Sequence, residues 1–391
     1  MNFLRLNLLY IYYILLHLTL AGSSFVQIGD AISVNIDSSV SYKNSSNVIR
    51  TQSNELSDGI YRFSPGALIT FGARDTSLDM SLKVIYDFLE YNKYSDLDTE
   101  LLKVTLNGSY DPNPILNNIF SYSYNEGENA ISEFSTGAQD VLVETVTERA
   151  SFLTQYNYSP KLSLSLGANL VDLSYDTHAD RLAAKETFNI PIKLIYRYSE
   201  KLNIVYGVSI TDTKVGERLS LNYPKYDTDS SYYNIGLNGE ILPKLTGSFD
   251  LGYRTLSFSY TNKDFNSFGA TSNLTWQVTP KFKTSLRASR DFDAAGSGST
   301  YRSTNGNIFS IYTINSDYKL SLNYGRTLKF FRADAFRGTQ SRYETLDSVA
   351  LKLHYIPSVN YSLSAGYRYI ESDAQSDYIL KEYNITARVK Y

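Results

Sequence analysis

The sequence predicts an all-β chain: a transmembrane, antiparallel, up-and-down β-barrel of about 18 strands, with 16 also compatible. Three observations carry this. Apolar and polar residues alternate over long stretches, as in Leu78, Met80, Leu82, Val84, Tyr86 and Phe88 against Asp79, Ser81, Lys83 and Asp87. A strand sends successive side chains to opposite faces, so each stretch has one greasy and one wet face. Short turns alternate with longer polar segments, which suits periplasmic turns at one end and extracellular loops at the other. The composition has 35 Tyr and 19 Phe against a single Trp. Tyrosine suits strands and membrane interfaces, where the ring is buried and the hydroxyl stays wet.

The other totals bound the function. Net charge is −3 and charged residues make up 20% of the 391, so no strongly basic face points to nucleic acid. Cysteine is absent, which removes disulfides, thiolate metal sites and a cysteine nucleophile. A mean hydropathy of −0.27 excludes a helical membrane bundle but not a barrel, whose inner residues face water.

Residues 1–23 read as a signal peptide. Arg5 precedes an apolar run from Leu8 to Leu20, and Ala21, Gly22, Ser23 and Ser24 follow. The run is short for a spanning helix, which needs about 20 apolar residues. An uncleaved anchor is the alternative. A lipoprotein would need Cys after the small residues, and position 23 is Ser. Residues 24–391 are then the barrel, with no second domain, plug-sized insertion or flexible linker.

Strands are expected from Ala31. A polar stretch from Lys43 to Ser57 precedes a strand interrupted at Pro65-Gly66, where a bulge or kink belongs. Asp111-Pro112-Asn113-Pro114 makes a short turn. Similar turns recur at Tyr158-Ser159-Pro160-Lys161, Tyr198-Ser199-Glu200-Lys201, Leu242-Pro243-Lys244, Thr279-Pro280-Lys281, Ser316-Asp317-Tyr318-Lys319 and Ile356-Pro357-Ser358. Between them lie long polar segments at 125–141, 176–185, 214–228, 291–305, 332–342 and 371–376. A spacing of roughly 40 residues also fits propeller blades, but blades lack this alternation of short and long connections. Strands of about 11 to 16 residues exceed the usual 5 or 6 of soluble sheets and suit tilted spans.

The chain ends on Tyr383, Ile385, Ala387, Val389 and Tyr391 opposite Asn384, Thr386, Arg388 and Lys390. This strand resembles the C-terminal signature of bacterial outer-membrane β-barrels. The resemblance implies that it closes the ring against the first strand and is read by the barrel assembly machinery. A second resemblance lies in Tyr42…Asn47-Val48-Ile49-Arg50-Thr51…Ser57-Asp58-Gly59-Ile60-Tyr61…Ser64-Pro65-Gly66. It is similar to the opening of an outer-membrane β-barrel porin family whose members often accompany exopolysaccharide gene clusters in Gram-negative bacteria. That family carries no settled catalytic residues, and the rest of the chain matches it as pattern only.

The expected working surface is the lumen. Its wet face gathers Lys83, Lys103, Lys193, Arg197, Arg254, Lys283, Arg287, Lys319, Lys352, Arg368, Arg388 and Lys390 against fewer acids: Asp79, Asp87, Glu240, Asp250 and Glu382. Fixed charge tunes which ions enter a pore, so a mild anion preference is expected. His178 between Asp176 and Asp180 reads as a solvated loop rather than a metal site, and His354, on the face of Lys352, as a lumen residue. Gly296-Ser297-Gly298-Ser299 reads as a loop tip. Arg332, Arg337 and Arg342 around Phe336 could bind an anionic saccharide or serve only as loop charge. No motif for acyl transfer, metalloprotease or phosphate-loop chemistry is present.

The expected function is a passive outer-membrane channel, without cofactor, metal or turnover. Its partners would be lipid, the assembly machinery, and small polar solutes or an exported polysaccharide. Its rivals are a structural or adhesive barrel with a blocked lumen, and a barrel hydrolase using His178 or His354.

Overall fold

A computed structural model describes residues 25–52, 55–72, 77–130, 142–216, 227–259, 261–294, 299–332, 340–374 and 377–391. The expected signal segment, Phe336, Arg337 and the Gly296–Gly298 tip lie outside the described residues.

Twenty strands form one sheet. β1 (Val26–Ile28) and β2 (Ile32–Ser45) are followed by β3 (Asp58–Ser64), β4 (Gly66–Phe71), β5 (Leu78–Tyr91) and β6 (Thr99–Asn113). Then come β7 (Leu116–Ala130), β8 (Leu142–Ser159), β9 (Leu162–Tyr175), β10 (Lys185–Arg197), β11 (Leu202–Val215), β12 (Thr228–Leu242) and β13 (Leu245–Phe258). The last are β14 (Thr261–Thr279), β15 (Phe282–Ala294), β16 (Thr300–Thr313), β17 (Tyr318–Phe331), β18 (Arg342–Tyr355), β19 (Tyr361–Asp373) and β20 (Tyr378–Lys390). Neighbours pair antiparallel, and β20 returns to β2 from Asp37↔Lys390 to Ser45↔Glu382. β3 and β4 share one place in the wall and β1 adds a short edge, so the ring closes with eighteen staves.

The split between β3 and β4 falls at Pro65, which has no N–H for a ladder. At Gly66 a Cβ would lie 2.6 Å from the Asp37 carbonyl, so only glycine lets β4 resume against β2. At the closing seam, Ile36 and Tyr391 exchange two backbone hydrogen bonds of 2.7 and 2.8 Å. Beyond Tyr391 the edge of β2 is taken up by β1, with Val26 opposite Val34. Unpaired edge groups cost several kcal/mol each in lipid, so a ring with a covered edge is the stable form.

The short turns share one device. Ser159, Ser199 and Thr279 each accept hydrogen bonds from the N–H groups two and three residues on, at 3.0 to 3.3 Å. Asn113 and Asn315 do the same through their side-chain carbonyls. A short polar side chain that binds its own backbone fixes a tight reversal without help from packing.

The outward face is apolar and bare. Leu164, Leu166, Ile192, Leu194, Ile210, Ile235, Leu322 and Ile385 are each 40% to 55% exposed, and each sits one register step from a polar inner residue. A continuous exposed apolar band is stable only against lipid. Aromatic rings flank it: Tyr158 and Tyr198 protrude at the short-turn end, and Tyr318 stacks on Tyr355 at 4.9 Å. Arg in place of Leu166, near the middle of the band, is expected to destabilise the folded barrel by about 2–4 kcal/mol. Urea unfolding in lipid vesicles measures this. Gly167, whose side faces inward, is the contrasting position for a polar change.

Candidate functional site

The inner face divides into two halves. In the half nearer the short turns, small polar residues predominate, with cations standing among them on β10, β15, β17 and β18. Registers place Lys283, Ile311, Ser321 and Lys352 in one row across β15–β18, with Lys319 opposite His354 just beyond it. Arg287 lies two inward steps further along, between Asn273 and Asn307. Lys193 and Arg197 hold corresponding places on β10, opposite Gly207 and Asn203. Among the described residues no carboxylate comes within ion-pair distance of Lys193, Arg197, Lys283, Arg287, Lys319 or Lys352. These six charges are free to act on whatever passes.

Several other cations of the inner face are neutralised. Asp37 takes Lys83 at 2.8 Å and the guanidinium of Arg388, whose Nε donates at 2.6 Å. Lys103 pairs with Asp87 at 2.7 Å, Arg368 and Lys43 with Glu382 at 3.5 and 3.4 Å, and Arg254 with Asp291 at 2.9 Å. Arg254 also lies over the Tyr232 ring at 4.2 Å, and the Tyr232 hydroxyl donates to Asp250 at 2.7 Å. Charge counting along the sequence missed Asp37, Asp291 and Asp293 as inner acids. Asp37 was findable: Ile32, Val34, Ile36, Val40 and Tyr42 keep one parity, which puts Asp37 on the other. The run Asp37-Ser38-Ser39 hides that rhythm, because polar residues occupy both faces there.

In the half nearer the long loops the inner face is not uniformly wet. Ile60, Leu89, Tyr91 and Leu101 point inward and pack with Val48 into a buried cluster. Ile370, Tyr378 and Leu380 form another, and Tyr301 with Phe331 a third. The expectation of a polar lumen along its whole length is corrected here, because loops fold in and supply the apolar cover. Asn47, fully buried, closes its own loop by accepting from the Thr51 N–H at 3.1 Å and donating to the Thr51 carbonyl at 2.7 Å. That loop seats Val48. Asp58 accepts from the N–H groups of Lys93 and Tyr94 at 3.0 to 3.2 Å, tying down the next loop. The Asn47–Thr51 and Asp58-Gly59-Ile60 segments picked out in the sequence thus build one side of the mouth. The β7–β8 hairpin leans onto the same cluster, with the Tyr91 hydroxyl donating to Glu128 at 2.6 Å. The segment 125–141, expected as loop, is strand as far as Ala130, and 299–305 lies almost wholly in strand β16.

On the opposite side of the mouth, β15 leaves β14 after Arg290, the last residue whose partner is on β14. Its end turns across the lumen. Asp293 reaches Lys185 on β10 at 2.6 Å, although four strands separate β10 from β15 in the wall. Below this bridge lies a cavity of about 350 Å³. Thr187, Asn189, Ser209, Thr211, Thr213 and Ser230 line one wall, and Arg254, Asp291 and Asp293 the other.

The histidines sit apart from this. The His178 carbonyl accepts from the Arg181 and Leu182 N–H groups at 3.0 and 3.1 Å in a turn that buries Leu182. His354 Nε2 lies 3.0 Å from the Ser321 hydroxyl, between Lys319 and Lys352. Nucleophilic catalysis by such a pair needs a third group to orient the imidazole. Among the described residues none is hydrogen-bonded to the other ring nitrogen. Arg332 lies over the Phe265 ring at 4.3 Å, and Arg342 over Phe331 at 4.0 Å with Glu344 at 2.9 Å, so these two are held apart by different partners. Tyr383, Ile385, Ala387 and Val389 face outward on β20 and Arg388 inward.

Known structures share the architecture. Two forms of the FrpB iron transporter from Neisseria meningitidis (F5-1 variant) match with TM-scores of 0.51 and 0.50 at 10% identity. Each match covers 88% of this chain, which spans only 62% and 63% of theirs. The outer membrane protein opdK from Pseudomonas aeruginosa matches over 92% of this chain and 99% of its own, with a TM-score of 0.47 and 10% identity. No curated protein gives a significant sequence match. A family model described as "Putative beta-barrel porin 2" matches residues 34–391, nearly the whole chain, and the chain belongs to that family.

Proposed function

We propose that the protein is a passive diffusion channel for small polar solutes, without turnover or cofactor, and with a mild preference for anions. As a member of a porin family with a closed, lipid-facing barrel, it resides in the bacterial outer membrane. The observation that carries the reading is the half-lumen rich in small polar side chains and crossed by six cations that have no carboxylate partner among the described residues. Uncompensated like charge in a structural interior would be costly; lining a water-filled path, it is hydrated and can act on passing ions. Residues 1–23 serve in this reading as a removable export signal, and the outward Tyr383, Ile385, Ala387, Val389 and Tyr391 as the strand recognised by the assembly machinery.

Liposome swelling tests the channel. Vesicles containing the refolded protein should swell in small sugars and amino acids at rates that fall with solute size. Swelling no faster than protein-free vesicles would favour a blocked, structural barrel, for which the loops packed into the mouth around Val48 speak. Export of a polysaccharide is the second cargo to consider, since the cavity wall from Thr187 to Ser230 offers neutral hydroxyl and amide groups that suit hydroxyl-rich chains.

The bridge between Lys185 and Asp293 narrows the outer mouth in this account. Asp293→Ala frees the end of β15 from β10. Its single-channel conductance is expected to exceed that of the parent, with Lys185→Ala giving the same rise and the double variant no more than either alone. Unchanged conductance in all three would show that the bridge does not limit flow.

A further inference from the structure

The outward face carries a sector unlike the rest. On β15–β17, at the outer rim of the apolar band, three arginines point toward lipid. Register places them from their neighbours: Arg290 two residues beyond Ala288, Arg302 opposite Phe330, and Arg326 beside the exposed Tyr324. Arg326 has Asp347 at 3.8 Å. Arg290 and Arg302 have no carboxylate partner among the described residues, and the Nε of Arg290 is buried without a hydrogen-bond acceptor. The Arg302 guanidinium lies over the Phe330 ring at 5.1 Å, and Phe330 is in contact with the exposed Tyr343 ring at 4.8 Å. Between the arginines, Gly306 faces open space. On β6–β8 the outward charges at this rim are acidic and tied to tyrosine. Glu100, Glu126 and Glu148 accept from the hydroxyls of Tyr86, Tyr124 and Tyr122 at 2.6 to 2.8 Å.

Two guanidinium groups near each other at a lipid boundary, with no carboxylate partner among the described residues, are costly unless something outside supplies the counter-charge. The apolar band below and the rings beside them fix what that can be: an anion held at interfacial depth on an acyl anchor. We propose that Arg290 and Arg302 bind the phosphate of a phosphorylated glycolipid of the outer leaflet, with Phe330 and Tyr343 beside its sugar and chains. The guanidinium fork suits phosphate oxygens, pairing two N–H groups with two oxygens at once. The acidic collar on β6–β8 repels the same headgroup, so the lipid is localised to one sector.

Native mass spectrometry of the full chain in detergent tests this, with added diphosphoryl lipid A, its dephosphorylated form, and inorganic phosphate as probes. The expected result is one retained diphosphoryl lipid A, displaced poorly by inorganic phosphate, with the dephosphorylated form weaker by about tenfold or more. Arg290→Gln with Arg302→Gln should weaken retention by a similar factor, while Glu148→Gln on the opposite sector leaves it unchanged. Heat-dependent gel mobility reports whether each variant is folded. If the double variant fails to fold, Arg302→Lys replaces it, expected to keep the charge but lose part of the affinity with the fork. Equal retention by the folded arginine variants, or by the two lipid forms, overturns the proposal. Displacement by inorganic phosphate at concentrations comparable to the lipid also overturns it, by assigning the site to a soluble anion.

Discussion

Replacing Lys283, Lys319 and Lys352 by Glu is expected to turn an anion-preferring pore into a cation-preferring one. The three lie together on the inner wall of β15–β18 with no carboxylate partner among the described residues, so their charge is not already spent on the protein. A unit charge about 10 Å from an ion in water contributes about 0.4 kcal/mol. One Debye length at 0.1 M salt cuts that to roughly a third. The six units of charge changed by three reversals therefore shift the energy of each passing ion by about 0.9 kcal/mol. Anions lose what cations gain, so the anion-to-cation permeability ratio should fall by about an order of magnitude. Reversal potentials across a salt gradient measure it. The same substitution made at Lys83 and Lys103, whose charges already face Asp37 and Asp87, should change selectivity less per residue and disturb folding more. Cation selectivity in the parent protein would remove the basis of the comparison.

Asp37→Ala should open the barrel's seam. This one carboxylate holds Arg388 on β20 and Lys83 on β5, so it ties the two sides of the closure to each other across β2. Its side chain is only 9% exposed. Removing one partner of a fully buried ion pair costs about 3–5 kcal/mol, because the cations left behind keep their desolvation cost. Lys83 and Arg388 remain 32% and 39% exposed, so water screens part of that loss and the effect should fall below this range. The denaturation midpoint in micelles or vesicles should drop, with the seam hydrogen bonds between Ile36 and Tyr391 gaining hydrogen-exchange rate first. Arg388→Ala should cost less than Asp37→Ala, since Lys83 still answers the carboxylate. A double-mutant cycle between the two positions should show coupling. Equal stability of Asp37→Ala and parent would mean that backbone pairing alone holds the ring.

The two predictions lean on features that differ in how far they could be read in advance. Strand alternation and the Ser, Thr and Asn turns are local, so the ring of staves and the break at Pro65-Gly66 were legible residue by residue. The inward register of Lys283, Lys319 and Lys352 follows from the same two-residue rhythm. Their freedom from partners does not, because a pair such as Lys185 and Asp293 joins strands far apart in the chain, and no local pattern announces it. Ile60, Leu89 and Leu101 broke the expected rule that inner residues are polar. They do so because the Asn47 loop and the β7–β8 hairpin cover them, a long-range packing event with no periodic signature. Asp37 lay between the two cases, on the correct parity but masked by the serines that follow it. The arginine sector on β15–β17 stood on the face expected to be apolar, and strand parity alone gave no reason for charge there.

The most direct test is the current through a planar lipid bilayer after the refolded full chain is added to one side. A water-filled ring spanning the membrane must give discrete, uniform conductance steps that persist for seconds and scale with salt concentration. A membrane that stays electrically silent while the protein is shown to be inserted and folded would contradict the account, leaving a barrel whose interior is shut.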